Sequence, residues 1–353
     1  MVIKDFKVSP LRAPLLQPFR TALGDHNSLE NLLVRLTLSD QSVGFGEAAV
    51  ATHITGETLL KTHKNLEQTG QWLIGRNAAD YLSLSWQLHQ QLSDNKCALA
   101  AIEMALIDAL TRSWKIPLWQ FFGNKPVRLS SDITVVIADL KETEESAVRF
   151  YRQGFRAFKI KIGRDQELDL QRVVLVHRKA PKAAIYLDAN QGYDSSQTLR
   201  FLKLVARAGI NPKLIEQPVA RDDWEGLLKV SRESKVPVCA DESVRSLADA
   251  HKVIKQKAAH VINIKVMKTG IWESREIAHL ARLHGIKLMI GGMMETSLAM
   301  TASAHMAAGL GYFDYIDLDT PFFIKGAVSK NGCLNSHGIY DVSGVKRGIG
   351  IRI

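Results

Sequence analysis

From residue 131 onward the chain alternates short apolar runs with longer stretches of helical periodicity, eight times in succession. The runs lie at residues 132–137, 157–162, 184–188, 213–216, 236–241, 261–266, 287–291 and 315–318. Neighbouring parallel strands need a helix-sized crossover, so this alternation predicts a parallel sheet, and eight units predict closure into a barrel. An open doubly wound sheet is the alternative. No Gly-x-Gly-x-x-Gly turn follows an early strand, which counts against it. Upstream the pattern differs. Period-two alternation at 2–8, 31–38 and 44–47 predicts strands, with a polar turn at 39–42. Residues 14–27, rich in Pro, Gly and polar side chains, read as a mobile loop, and 52–57 as a second one. Helical stretches follow up to about Leu73, at 79–92 and at 98–113. The expected fold class is α/β: a small α+β domain over 1–127, a (β/α)-barrel of modified TIM type over 128–320, and a segment 321–353 that packs back on the first domain.

The 353 residues are 46% hydrophobic and 23% charged, a balance that can bury a large core. Lys and Arg exceed Asp and Glu to give a net charge of +10. The basic residues are scattered, with no run of five or six and no interleaved aromatics, so the charge reads as a solvated surface rather than a nucleic-acid footprint. Cys97, Cys239 and Cys333 are too far apart for a disulfide framework or a zinc cluster. The chain does not open on a secretory apolar segment, and no stretch approaches the roughly 18 apolar residues of a membrane span. A cytoplasmic protein without membrane or nucleic-acid partners is the expectation.

Charge falls in a particular place within the runs. Asp188, Glu216, Asp241 and Lys265 each close one of four successive runs, spaced 28, 25 and 24 residues apart, about one strand–helix unit each time. Four strands therefore present a charge at their carboxyl ends, the end where barrels build active sites. Three carboxylates in a partly enclosed mouth cannot all ionise without a counter-charge. An oxygen-only trio suits a hard cation, and Mg²⁺ is the natural choice. Separate ion pairs or helix caps for each acid are the plain alternative, and three acids in register argue against it.

Lys159 and Lys161 share one face of the second run while Phe158, Ile160 and Ile162 take the other. If the aliphatics face the helices, both lysines point into the barrel. Crowding by a divalent cation and a second lysine is expected to lower a lysine's pKa and make a neutral amine available as a general base. Lys265, on the sixth run, stands across the barrel from the second. Two amines flanking a bound carboxylate can take an α-proton from one face and return one to the other.

These residues resemble the enolase superfamily, in particular its muconate-lactonizing subgroup, over essentially the whole chain. The resemblance rests on Lys159-x-Lys161, Asp188-Ala-Asn190, Glu216-Gln-Pro218, Ala240-Asp-Glu-Ser243 and Asn263-Ile-Lys265 in that order. It implies a capping domain with two mobile specificity loops and a substrate carboxylate bound to one Mg²⁺ held by Asp188, Glu216 and Asp241. It also implies Lys161 and Lys265 as acid/bases, and Lys159 acting with the metal to stabilise an enediolate. Asp317 and Asp319 close the eighth run with both side chains on one face. They resemble the pair with which dipeptide epimerases grip an α-ammonium; a salt bridge from this pair to Lys325 is the plain alternative. Met293 and Met294, in a Gly-Gly-Met-Met-Glu-Thr stretch, and His53, in residues 52–56, also look like that group, although methionines alone are ordinary core filler. Thr134 and Glu295 face the mouth if the register is right.

Two departures stand out. Gly24 occupies the loop position where Ala-Glu epimerases carry a carboxylate-binding arginine, so an apolar or cationic substrate side chain is expected unless Arg20 reaches in. The usual second glycine after Lys268 is Ile271, which is expected to alter a turn. The expected activity is inversion of the C-terminal residue of a dipeptide, in a homo-oligomer. The alternatives are N-acylamino acid racemisation, o-succinylbenzoate formation or lactone cycloisomerisation, whose substrates give the Asp pair nothing to hold, and, further off, a non-catalytic binding barrel. His251, His260, His279 and His284 read as outer-ring residues. Glu242 is expected to point away from the metal if its strand continues.

Overall fold

The computed structural model describes residues 1–123, 126–326 and 333–353. Its first unit is a three-stranded antiparallel sheet, Ile3–Thr21, Gly24–Leu38 and Val43–Ala48, with the first strand at an edge. Residues 14–27 are not a loop. They extend the hairpin, pairing Phe19 with His26 and Thr21 with Gly24 after a register irregularity between Pro14 and Phe19. Proline punctuates sequence but is tolerated on an edge strand, where its missing N–H faces no partner. The helices Leu59–Leu73, Tyr81–Gln91 and Lys96–Ser113 cover the sheet.

Lys96–Ser113 is almost wholly buried because it sits between this sheet and the rest of the molecule. Gly44 and Gly46 allow the approach: a Cβ on Gly46 would run into the carbonyl oxygen of Ala101, and one on Gly44 into that of Ala105. The buried acids of the helix are spent on backbone donors. Asp108 accepts from Phe45 N at 3.0 Å and from Ile349 N at 2.7 Å, with Arg112 Nε at 3.0 Å. Glu103 accepts from Ser85 Oγ and, at 2.6 Å, from Ile271 N.

The second unit is an eight-stranded parallel sheet: Ile133–Val135, Ala157–Lys161, Ala184–Asp188, Leu214–Glu216, Val238–Ala240, Val261–Lys265, Lys287–Gly291 and Tyr315–Ile316. The order in space is the order in sequence, with a helix in each of the seven connections. The outer strands meet where Asp132 N donates to Ile316 O at 2.8 Å and Leu318 N to Ser131 Oγ at 2.8 Å. Several strands are shorter than their apolar runs because the flanking residues leave the ladder to form the mouth. The turn after Lys268 survives the loss of the second glycine: Gly270 alone takes a positive φ of 78°, and Ile271 N–H is held by Glu103. In the C-terminal segment, Gly348 exchanges backbone hydrogen bonds with Ile116 and Leu118. Residues 327–332 of that segment lie outside the described residues.

Replacing Gly46 by Ala should cost about 1–3 kcal/mol through overpacking against the helix backbone, read as a lowered urea midpoint with an unchanged slope.

Candidate active site

Strand register carries the charges to one level. Lys161 pairs with Asp188, and Asp188 with Glu216, so three strand-terminal residues stand side by side. Lys265 ends the sixth strand, and Asp241 follows the fifth. All five are buried. Phe158, Ile160 and Ile162 fill the layer between barrel and helices, which turns Lys159 and Lys161 inward. The backbone just beyond the strands is strained: Asn190, Gln191 and Gln217 all adopt positive φ. The strain places useful groups. Asn190 N donates to Asp188 Oδ1 at 3.0 Å, and Gln217 Oε1 accepts from Asp241 N at 2.9 Å and Ser243 N at 3.1 Å, shaping the turn that presents Asp241.

Lys161 Nζ lies 2.5 Å from Asp188 Oδ2 and donates to Asn190 Oδ1 at 3.0 Å. Lys265 Nζ is 2.7 Å from Asp241 Oδ2. Lys159 Nζ bonds Asp317 Oδ2 and stands 3.7 Å from Asp188 and 3.8 Å from Glu216. Burial opposes charge on Lys265, but Asp241 and Glu216 outweigh it and hold the ammonium above the ordinary lysine value. The expected lowering of lysine pKa is therefore not what the carboxylates alone produce, because in this arrangement they are the nearest charges.

Burial, then the charge of Asp188, push Glu216 up to about 8. Burial works the same way on Asp241, yet Lys265 and Lys268 hold it far below the usual carboxylate range. Glu216 Oε1 accepts from Asn263 Nδ2 at 2.8 Å, while Glu216 Oε2 is buried without a hydrogen-bond partner. Three carboxylates at the ends of three adjoining strands, one of them with an orphaned oxygen and reluctant to ionise, fit a hard divalent cation such as Mg²⁺. Asp188, Glu216 and Asp241 would hold it.

Beyond Lys159 lies a second acidic group. Oxygens of Asp132, Asp317 and Asp319 all lie within 4.8 Å of one another. Asp319 Oδ2 accepts from Thr134 N at 2.5 Å, and burial followed by the charge of Asp317 raises Asp319 to about 6. Asp317 finds Lys159, not Lys325. Thr134, Lys159, Lys161, Lys265, Met293, Met294, Asp317 and Asp319 line one cavity of about 470 Å³, the size of a small-molecule site. Glu295 does not line it: its carboxylate folds back to accept from Met293 N at 2.6 Å.

Several participants escaped the sequence reading. Lys268, one helical turn after Lys265, donates to Asp241 Oδ1 at 2.7 Å and to its carbonyl at 2.6 Å. Glu242 does not point away, since the strand stops at Ala240; Glu242 Oε1 accepts from Asn190 Nδ2 at 3.3 Å. Asp132 lies one residue ahead of its strand and carried no strand-end signal. At the rim, His26 and His53 meet with their Nε2 atoms 3.0 Å apart. Burial disfavours charge on both, drawing His53 down to about 4. Arg164, just past the second barrel strand, donates to Thr21 O at 2.6 Å and Asp25 Oδ1 at 2.7 Å, and Arg221 donates to Ile54 O at 2.9 Å. Arg20 does not reach the cavity; it pairs with Glu142 at 3.0 Å.

Residues 5–123 match the family model described as "Mandelate racemase / muconate lactonizing enzyme, N-terminal domain", and residues 142–353 match "Enolase C-terminal domain-like". The chain is 47% identical to a hydrophobic dipeptide epimerase of Citrifermentans bemidjiense, covering 99% of this chain and 97% of that one. It is 38% identical to an aromatic dipeptide epimerase of Herpetosiphon aurantiacus, over 91% of each. A crystal structure of a dipeptide epimerase from Enterococcus faecalis, complexed with Mg and the dipeptide L-Leu-L-Tyr, superimposes with a TM-score of 0.96 at 32% identity, covering 100% of both chains.

Because Glu216 must lose its proton to bind a cation, Mg²⁺ affinity should fall about tenfold per pH unit below about pH 8. Titration calorimetry near neutral pH should show a proton released on Mg²⁺ binding, as heats that vary with the ionisation enthalpy of the buffer; buffer-independent heats would contradict the assignment.

Proposed function

The chain belongs to the mandelate racemase/muconate lactonizing enzyme family of the enolase superfamily, and we propose that it is a Mg²⁺-dependent epimerase of dipeptides with a hydrophobic C-terminal residue. One observation carries the reading: a pair of lysines and a pair of aspartates line the same cavity on either side of Lys159. A dipeptide matches that order. Its carboxylate lies toward Asp188, Glu216 and Asp241, its C-terminal α-carbon between Lys161 and Lys265, and its ammonium against Asp317 and Asp319.

Mg²⁺, when bound, supplies Lewis-acid charge beside the substrate carboxylate. The protein's own groups do the rest. With Asp241 and Glu216 engaged by a divalent cation, the attraction that keeps Lys265 protonated is withdrawn, and its amine can take a proton. One lysine removes the α-proton while the ammonium of the other returns one to the opposite face, which inverts the centre. The ammonium of Lys159, fixed between Asp188 and Asp317, stabilises negative charge as it builds on the carboxylate. The Asp pair favours a free dipeptide over N-acyl, succinylbenzoate or lactone substrates, which bring no ammonium to neutralise it.

The side chain of the inverted residue faces Leu23, His26, Ile54, Leu59 and the two methionines. Among the described residues lining the cavity, the only lysines or arginines are Lys159, Lys161 and Lys265, and burial disfavours charge on the His26–His53 pair. Gly24 offers no side chain. An acidic substrate side chain would be buried without a counter-ion, an apolar one would not.

L-Ala-L-Phe should therefore be epimerised with a kcat/KM about a hundredfold above that for L-Ala-L-Glu, roughly the cost of one buried unpaired charge. Lys161→Ala and Lys265→Ala should each lower epimerisation by about 10³-fold, with far-UV circular dichroism unchanged. Polarimetry and α-deuterium incorporation from D₂O measure both; substantial epimerisation by either variant would refute the two-base assignment. Asp319→Asn should raise KM for dipeptides about tenfold while leaving any N-acyl turnover where it was; equal loss on both substrates would sink the ammonium role.

A further inference from the structure

Asp132 is 1% exposed, and neither of its carboxyl oxygens has a hydrogen-bond partner. A buried carboxylate so placed is costly and needs a reason. Its surroundings define the problem. Asp317 and Asp319 face it from the end of the eighth strand, Lys159 from the second and Tyr186 from the third. Three carboxyl groups within 4.8 Å of one another share one lysine, and like charges so close cannot all ionise.

The partners decide which acid keeps a proton. Asp317 has the ammonium of Lys159, and Asp319 has the backbone N–H of Thr134. Asp132 has neither. The oxygens it faces are acceptors, and a proton on Asp132 turns a repulsive contact into a hydrogen bond. We propose that Asp132 is a positioning residue for the ammonium site: an un-ionised carboxylic acid that donates its proton to Asp317 and fixes that carboxylate where the substrate ammonium is received. Burial, then the charge of Asp317, raise the acid well above the ordinary aspartate value, in keeping with this.

Charge balance gives the arrangement its purpose. With Asp132 neutral, Asp317 and Asp319 carry two negative charges, matched by Lys159 and one substrate ammonium. Ionised, Asp132 would leave the cluster one negative charge in excess with substrate bound. The neutral acid tunes the site to a single monocation.

The ammonium role rests on the dipeptide reading, whereas the protonation state does not, and the test separates them. Infrared difference spectra of the wild-type holoenzyme minus Asp132→Asn, near neutral pH and without substrate, should show the carbonyl stretch of an un-ionised acid in the wild type. A carboxylate band in its place overturns the proposal whatever the enzyme acts on. In kinetics, Asp132→Leu should raise KM for dipeptides about tenfold through the orphaned Asp317 with little change in kcat, and Asp132→Asn, which keeps a donor, should recover most of that loss. An Asn variant as impaired as the Leu variant overturns the proposal, because it would mean that Asp132 acts as an anion. Absence of any dipeptide epimerisation by the wild type would remove the ammonium role and leave the infrared result to decide the shared proton.

Discussion

Lys159, Lys161, Lys265 and Lys268 are buried among at least as many carboxylates, and each set makes the other tolerable. A lone buried ammonium or carboxylate carries a desolvation cost of several kcal/mol, so neither would persist singly at the end of a dry barrel. Pairing resolves this only if the partners are delivered to the same depth. Here the backbone delivers them: the Lys161–Asp188–Glu216 register fixes three charges side by side, and Gln217 shapes the turn that brings Asp241 to join them. The site is therefore a consequence of strand register as much as of residue choice. A slip by one residue would turn its charges toward the helices.

The α+β unit matters because Leu23, His26, Ile54 and Leu59 form part of the cavity wall, and a wall of protein in place of solvent strengthens the interactions in the mouth. It is attached by buried acids that accept from backbone N–H groups across the boundary. Glu47 accepts from Thr296 N at 3.0 Å, two residues after the methionines that line the cavity. Asn31 donates to Glu47 at 2.7 Å and to Met294 O at 2.9 Å. Glu103 holds Ile271 and Trp272, just beyond Lys268. The attachment points thus fall on the segments that follow the sixth and seventh strands, next to Lys265 and to the cavity.

The barrel and its charged rim were legible because both have a period. Strand–helix units repeat at a nearly constant spacing, and Asp188, Glu216 and Asp241 ride on that spacing. What lay off the period stayed hidden. Asp132 comes before its strand, Lys268 belongs to the turn after one, and Glu242 was misread because the strand ended at Ala240 and did not continue through it. The edge-strand prolines disguised a hairpin as a loop. Arg20 was near in sequence to the substrate loop but is drawn outward by Glu142, a partner 122 residues away that no local pattern announces.

The hairpin that replaced the expected loop has mechanical consequences. Its tip, Thr21–Gly24, is the end of a two-stranded ribbon, and Phe19, Arg20 and Thr21 remain paired with the opposing strand. Toward the tip, the ladder is interrupted between Pro14 and Phe19. The stretch without rungs is tied elsewhere, since Leu15 bridges Ile324 and Lys325 N donates to Pro14 O at 2.9 Å. The tip is held by Ile137 N on Arg20 O at 3.1 Å and Arg164 on Thr21 O at 2.6 Å, so it is ordered before any ligand arrives. The entropy of ordering a dozen residues need not be found anew at each turnover. Substitutions at the tip can then reshape what the cavity admits without loosening the paired strands behind it.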